Sequence, residues 1–249
     1  MKLNILENAD RMGYEAALES AELLRKIIGE QGRARIVLST GASQFEFLRH
    51  FIKQDIEWNK VEMFHLDEYI ALSEQHPASF RKYLKERFLQ HVGVENYWLI
   101  NGEGDVQATI GQLNEEIGKA PIDLALIGIG ENAHIAFNDP PANFEVGDPY
   151  IVVDLNDACK NQQVGEGWFA SPEDVPQQAI TMTVKQILRS RHIISCVPHK
   201  AKAKAIGLAI NNDVDRNVPA TILKTHASWT LYLDRESSQE IYVWPETAQ

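Results

Sequence analysis

The fold of this chain is decided by the stretch Ile122-Asp123-Leu124-Ala125-Leu126-Ile127-Gly128-Ile129-Gly130. It begins as an apolar run of strand length that is rich in branched side chains, and two closely spaced glycines end it. This pattern is typical of a buried parallel strand that runs into a loop at its carboxyl edge. Because open α/β sheets bind ligands at that edge, we expect a site in the loop that follows.

That loop carries an imidazole, an amide and a carboxylate, from His134, Asn132 and Asp139. A carboxylate can orient an imidazole and raise its basicity, which suits general acid–base chemistry near neutral pH. The same three residues also fit a loop in which His134 only satisfies backbone groups. The motif by itself leaves both interpretations open.

The composition narrows the class of protein. The 249 residues are 44% hydrophobic and fit one large α/β domain or two small ones. The net charge of −11 argues against a nucleic-acid partner and against an acidic membrane surface, although a pocket can still be locally positive.

The cellular setting is predicted from cysteines and from apolar runs. Cys159 and Cys196 cannot make a disulfide framework, which favours the reducing cytoplasm. The first eight residues turn polar too early for a signal peptide, and no apolar run reaches the length of a membrane span. We therefore expect a cytoplasmic protein with no membrane partner.

Strands and helices alternate along the whole chain. Besides the strand at 122, strands are predicted at 3–6, 35–39, 61–66, 97–100, 150–155, 180–183, 192–197 and 229–233. Helices are predicted between them, the first capped by Asp10 and ended by Gly29, and another beginning at Pro77. Residues 161–169 are polar and glycine-rich and are predicted to form a loop, with the character of a mobile lid.

This order predicts the α/β class: a single-domain, open, mostly parallel, Rossmann-like sheet with helices on both faces. No linker divides the chain, so residues 1–249 are expected to form one domain.

The turn after the second predicted strand, Thr40-Gly41-Ala42-Ser43, is rich in hydroxyls and leads into helical spacing. Backbone N–H groups and hydroxyls at a helix start suit a phosphate. Many αβ turns carry the same residues only as helix caps.

The third predicted strand ends in two adjacent acids, Asp67 and Glu68, which are candidates for a catalytic base. Neighbouring residues of an extended chain point to opposite sides, so only one of them is expected to face the pocket. The alternative is that one of them caps the next turn. Lysines follow the strand at 192–197, where they oppose the helix dipole. An anion facing one of them would explain this, and ordinary surface lysines are the alternative for Lys200 and Lys204.

These segments together resemble the glucosamine-6-phosphate deaminase (isomerase) family, within the group that includes 6-phosphogluconolactonases. The resemblance covers nearly the whole chain in the same order. The segments that carry it are Ser39–Ser43, Phe64–Tyr69 with His76-Pro77, Gly128–Pro140, Val175–Met182, Lys202 and Pro219–Leu223 with His226. The run Ile135-Ala136-Phe137-Asn138 after the histidine favours the deaminase branch over the lactonases.

The resemblance implies a fold of the NagB/RpiA type and a set of roles. Thr40, Gly41, Ala42, Ser43 and Lys202 would hold the substrate's phosphate, with Glu68 and Gly130 completing the binding set. Asp67 would be the acid–base residue, His134 would open the sugar ring, and Asp139 with Asn132 would support it. The implied reaction converts glucosamine 6-phosphate and water to fructose 6-phosphate and ammonia, without a metal or redox cofactor. A homo-oligomer is compatible with the sequence.

The chain also departs from the family pattern. Asn132-Ala133 stand where Asp-Gly is common, and Asp139 replaces the usual glutamate. The family's arginine-containing phosphate segment corresponds to Gln162–Phe169, which has no arginine; Lys160 is the nearest substitute. The basic residues of the family's activator site have no counterparts, so no such regulation is expected. Two alternatives follow: a 6-phosphogluconolactonase-type hydrolase, or a non-catalytic sugar-phosphate sensor, although a sensor would need neither Asp67 nor His134.

Overall fold

The strands that build the core are short and almost wholly apolar. The computed structural model describes residues 1–242. Its strands are β1 (Lys2–Leu6), β2 (Ala34–Leu38), β3 (Val61–His65), β4 (Asp67–Tyr69), β5 (Asn96–Trp98), β6 (Leu124–Leu126), β7 (Tyr150–Asp154), β8 (Gln178–Met182), β9 (His192–Val197) and β10 (Trp229–Asp234). Its α-helices are α1 (Ala9–Gln31), α2 (Phe45–Phe51), α3 (Phe80–Arg87), α4 (Val106–Gly118), α5 (Asp157–Gly165), α6 (Val184–Leu188) and α7 (Ala203–Asn211).

Helices cover both faces of the central sheet. Successive side chains of a strand point to opposite faces, and β2 follows this rule. Ile36 and Leu38 pack in the cluster that contains the apolar face of α1, whereas Val37 packs in the cluster that contains α4 and α7. The predicted α/β class, with a mostly parallel sheet between two helical layers, is confirmed.

The order of the strands in the central sheet indicates where a ligand would bind. The central sheet has seven parallel strands in the order β1-β10-β9-β6-β2-β3-β5. From β2 the chain winds outward through β3 and β5, and it then returns to the other side of β2 with β6, β9 and β10. The order therefore reverses between β2 and β6, and ligands bind outside the carboxyl ends of strands at such a reversal.

A second, antiparallel sheet was not predicted from the sequence. It has three strands in the order β4-β8-β7, and it places Asp67 opposite Thr181. The Met182 N–H donates to Leu66 O over 2.7 Å, which fastens this sheet to the end of β3. Period-two patterns locate strands but do not say which sheet they join, so the sequence predicts β7 and β8 only as parts of one layer. It does not predict β4, because residues 67–69 follow directly on the third predicted strand.

Several predicted boundaries differ from the structure because other residues supply the caps. The Asn8 side chain, not Asp10, caps α1, and Gly32 at φ +79° ends it instead of Gly29. Ser79 caps α3, which starts at Phe80 rather than at Pro77. The helices among residues 1–242 are all too short or too polar to cross a membrane.

The predicted loop at 161–169 is helical over its first half. The Asn156 side chain accepts from Cys159 N and starts α5, which extends to Gly165. The prediction of a loop was wrong there because the helix is polar and has no clear apolar stripe. Burial of Cys159, Lys160 and Gln163 against the rest of the protein stabilises it instead.

A buried arginine connects β2 to the end of α4. Arg35 on β2 is 3% exposed and donates to Ile117 O over 3.0 Å, to Glu116 O over 2.7 Å and also to Ala120 O. Its Nε pairs with Glu62 at 2.7 Å. The guanidinium thus donates to carbonyls in and just after the last turn of α4, where helix carbonyls lack i+4 partners.

We expect Arg35→Met to lower the free energy of unfolding by about 3 kcal/mol, because it removes the guanidinium that donates to Ile117 O and Ala120 O and that pairs with Glu62. Urea unfolding measures the loss. Arg33→Met, at an exposed position just before the same strand, is the matched control and should change stability by less than about 0.5 kcal/mol. Equal effects of the two substitutions would contradict this role of Arg35.

Candidate active site

A cleft opens at the carboxyl ends of the strands, where their order reverses. Its lining comes from the loops after β2, β3, β6 and β9 and from the end of α5. The lining residues are Ser39, Thr40, Gly41, Ala42, Ser43, Leu66, Asp67, Phe80, Gly128, Ile129, Gly130, His134, Ala136, Phe137, Gln162, Gln163, Glu166, Trp168 and Lys202.

The hydroxyl-rich loop after β2 is fixed from two sides. The Tyr83 hydroxyl donates to Gly41 O over 2.9 Å, and Gln44 Nε2 donates to Cys196 O over 3.1 Å. Gly41 has φ +99°, a conformation that favours glycine. Ser39 Oγ is buried and has no hydrogen-bond partner among residues 1–242. The loop therefore holds polar groups ready for a ligand in a fixed backbone.

The Asp67 carboxyl lies in the cleft and is 7% exposed. Burial, and then the charge of the adjacent Glu68, raise the pKa of Asp67 to about 8. A buried carboxyl with such a pKa is a stronger base than an ordinary aspartate. It is matched to proton transfer near neutral pH.

Glu68, a candidate binding residue from the sequence, faces away from the cleft and is fully buried. It accepts hydrogen bonds from Ser79 Oγ at 2.9 Å and from the N–H groups of Phe80 and Arg81 at 3.2 and 2.8 Å. Only one of the two acids lines the cleft, as expected for neighbours on an extended chain. The contacts of Glu68 anchor the first turn of α3.

His134 lines the cleft, and its two supports lie behind it. Its Nδ1 is 3.1 Å from Asp139 Oδ1, and Asn132 Nδ2 donates to the same oxygen over 3.0 Å. The His134 N–H donates to Asn132 Oδ1 over 3.0 Å. Burial acts to raise the pKa of Asp139, but the contacts with His134 and Asn132 outweigh it and lower that pKa. An ionised Asp139 favours the proton on Nδ1, which leaves Nε2 for acid–base work.

Gly130 gives the imidazole its space. A Cβ at this position would lie 2.3 Å from Cε1 and Nε2 of His134. The Gly130 N–H also donates to His134 O over 3.0 Å. Gly130 therefore both lines the cleft and positions the histidine.

Lys202 lies in a short 3-10 turn after β9 and is 7% exposed. Burial lowers its pKa, and the nearby carboxylates of Glu166 and Glu131 oppose that shift. Its Nζ is 3.9 Å from Glu166 Oε1. The lysine predicted to face an anion thus faces the cleft, where a carboxylate of the protein itself lies beside it.

The end of α5 forms a wall that the sequence suggested only as a lid. Gln162, Gln163, Glu166 and Trp168 line the cleft there. Lys160, suggested in place of an arginine, does not; its Nζ donates to Gln177 Oε1 over 2.6 Å. A polar run closing with Trp168 was the one signal for this wall.

Comparison with known proteins agrees with this geometry. A family model described as glucosamine-6-phosphate isomerases/6-phosphogluconolactonase matches residues 7–232. A glucosamine-6-phosphate deaminase of Thermoanaerobacter pseudethanolicus is 34% identical over 97% of this chain and 95% of its own. One of Streptococcus pneumoniae is 31% identical over 95% of this chain and 98% of its own.

Solved structures give the same result. A monomeric glucosamine-6-phosphate deaminase, described as a missing link of the NagB superfamily, has a TM-score of 0.88 at 28% identity, covering 96% of this chain and all of that one. A putative 6-phosphogluconolactonase of Neisseria gonorrhoeae shares the fold, with a TM-score of 0.76 at 17% identity over 94% of this chain and all of that one. This chain belongs to the glucosamine-6-phosphate isomerase/6-phosphogluconolactonase family.

We expect Gly130→Ala to destabilise the protein by about 2 kcal/mol and to displace the imidazole, because the added methyl overlaps the His134 ring. Urea unfolding measures the first effect, and the imidazole ¹⁵N resonances of His134 report the second. Gly111→Ala is the control: its Cβ meets nothing within 4 Å on α4, and it should stabilise by up to about 1 kcal/mol. Unshifted His134 resonances in Gly130→Ala would contradict this role.

The raised pKa of Asp67 predicts how stability depends on pH. The folded state holds the proton up to about pH 8, whereas the unfolded chain releases it near pH 4, so stability is lost as pH rises through this window. Asp67→Asn removes the loss. Its stability relative to the unsubstituted protein should therefore grow by about 1.4 kcal/mol per pH unit between pH 5 and 8.

Unfolding curves at several pH values test this prediction. Asp213→Asn, at an exposed position, should show a constant difference from the unsubstituted protein over the same range. A constant difference for Asp67→Asn as well would show that the carboxyl is not held neutral by its surroundings.

Proposed function

We propose that this protein is a glucosamine-6-phosphate deaminase, which converts glucosamine 6-phosphate and water to fructose 6-phosphate and ammonia. The observation that carries the proposal is the Asp67 carboxyl, with a pKa near 8, in the same cleft as a histidine backed by a carboxylate. The relatives named for this activity support it, since they match nearly the whole chain.

The first step is ring opening, which needs a proton moved from the anomeric hydroxyl to the ring oxygen. His134 performs it through Nε2, because Asp139 occupies the other side of the ring. Asp139 also stabilises the imidazolium that forms during the transfer. Asn132 holds Asp139 in place with its amide.

The second step moves a proton between adjacent carbons. Asp67 takes the proton from C2 of the open amino sugar while the C1 carbonyl oxygen gains a proton, which gives an enolamine. Asp67 then returns its proton to C1 as the amino group gives up one proton, which balances the one that the C1 oxygen gained. The product is an imine at C2, and water hydrolyses it to the ketose and ammonia. One carboxyl suffices for both transfers, and its raised pKa lets it act as base and then as acid near neutral pH.

In this proposal, the phosphate lies at the side of the cleft opposite the reacting carbons. Thr40, Gly41, Ala42 and Ser43 supply hydroxyl and backbone donors, and Lys202 supplies the cation. Binding energy from this remote group orients C1 and C2 for reaction.

We further propose that residues 1–249 act as one catalytic domain on a small sugar phosphate in the cytoplasm. The loops that line the cleft come from a single sheet edge and from α5, so the described part of the chain supplies both the acid–base groups and the anion site.

Ammonia release from purified protein with glucosamine 6-phosphate tests the function, with galactosamine 6-phosphate in parallel. Asp67→Asn and His134→Gln should each lower kcat/KM at least about a hundredfold, because each removes a proton-transfer group. Asp213→Asn, remote from the cleft, should keep full activity.

Two results would contradict the proposal. Hydrolysis of 6-phosphogluconolactone without ammonia release would show a lactonase. Stabilisation by sugar phosphates with no turnover of either substrate would show a binding protein.

A further inference from the structure

The cleft contains a carboxylate where the proposed substrate would place a phosphate. Glu166 follows α5 directly and lines the cleft opposite Lys202, with its Oε1 3.9 Å from Nζ. Among residues 1–242, this is the ion pair that the Lys202 ammonium makes. The positive charge expected to attract an anion is thus already paired.

Glu166 is held there by further contacts. Gln162 Nε2 donates to its Oε1 over 2.8 Å, and Trp168 Nε1 donates to its Oε2 over 3.1 Å. Both donors line the cleft as well. These two hydrogen bonds therefore hold the Glu166 carboxylate in a defined position beside Lys202.

A phosphate dianion and this carboxylate cannot share Lys202 without strong repulsion. Two like charges about 4 Å apart in a partly buried cleft repel each other several times more strongly than in water. The Glu166 side chain is 20% exposed, so its carboxylate borders solvent and can turn toward it when a phosphate arrives.

We propose that Glu166 is an internal competitor for the phosphate subsite: its carboxylate pairs with Lys202 in the free protein and must leave before a phosphorylated ligand binds. This inference rests on the proposed function for the position of the phosphate. Glu166 then determines specificity by charge, because only a ligand whose anion outcompetes the tethered carboxylate gains Lys202.

Titration with inorganic phosphate, followed by calorimetry, tests the inference without any catalytic step. Glu166→Gln keeps the shape and removes the charge; its one amide oxygen can still accept the hydrogen bond from Trp168 Nε1. We expect it to lower the Kd for phosphate about tenfold, and to lower KM for glucosamine 6-phosphate more than it changes kcat. Lys202→Met should raise the Kd for phosphate in either background.

Glu131→Gln is the matched control. It removes an equal charge that also acts on Lys202, but its side chain is exposed and outside the cleft lining. We expect less than a twofold change in the Kd for phosphate, because solvent screens exposed charges.

The outcomes separate this inference from the proposed function. A Kd for phosphate in Glu166→Gln that falls by less than threefold, or that rises, overturns the inference even if the unsubstituted protein releases ammonia. The same decrease in Glu131→Gln as in Glu166→Gln also overturns it, since the effect would then be one of net charge. Absence of ammonia release overturns the proposed function and leaves the phosphate titration valid.

Discussion

The reversal of strand order between β2 and β6 is the constraint on which the site depends. The chain leaves β2 toward one edge of the sheet and leaves β6 toward the other, so a crevice forms between the carboxyl ends of these two strands. The loop after β2 brings hydroxyls to this crevice, the loop after β6 brings His134, and the flanking β3 and β9 bring Asp67 and Lys202. Residues that are far apart in sequence meet because parallel strands end at one edge.

The surroundings of two carboxyl groups in this site shift their pKa values in opposite directions. Burial and a like charge raise the pKa of Asp67, whereas a histidine and an amide lower the pKa of Asp139. This divergence supports the proposed roles, since a carboxyl that exchanges protons near neutral pH needs a raised pKa and one that orients an imidazole needs to stay ionised. Side chains of the same kind thus do different work because of what they touch.

Much of this arrangement could be predicted from the sequence, because apolar strand patterns ending in polar loops locate a sheet edge. The hydroxyl-rich loop after β2, Asp67, His134 and Lys202 all line the cleft, as expected from their places after strands. What could not be predicted depends on tertiary contacts. The antiparallel sheet needs pairing partners that alternation does not specify, and α5 is stabilised by burial and by the Asn156 cap rather than by an apolar stripe. For the wall formed by Gln162, Glu166 and Trp168, the one sequence signal is the polar run that closes with Trp168.

Glu68 contacts the first turn of α3 and also affects the pKa of Asp67, which lines the cleft. Its carboxylate fastens the first turn of that helix, and the same charge is one of the two causes that raise the pKa of Asp67. Glu68 and Asp67 are adjacent in the chain, so a change in the contacts of Glu68 also changes the surroundings of Asp67. Any ligand or sequence change that shifts the start of α3, where Phe80 also lines the cleft, would be felt as a change in the proton affinity of Asp67. The start of α3 thereby affects the pKa of Asp67, although Glu68 itself faces away from the cleft.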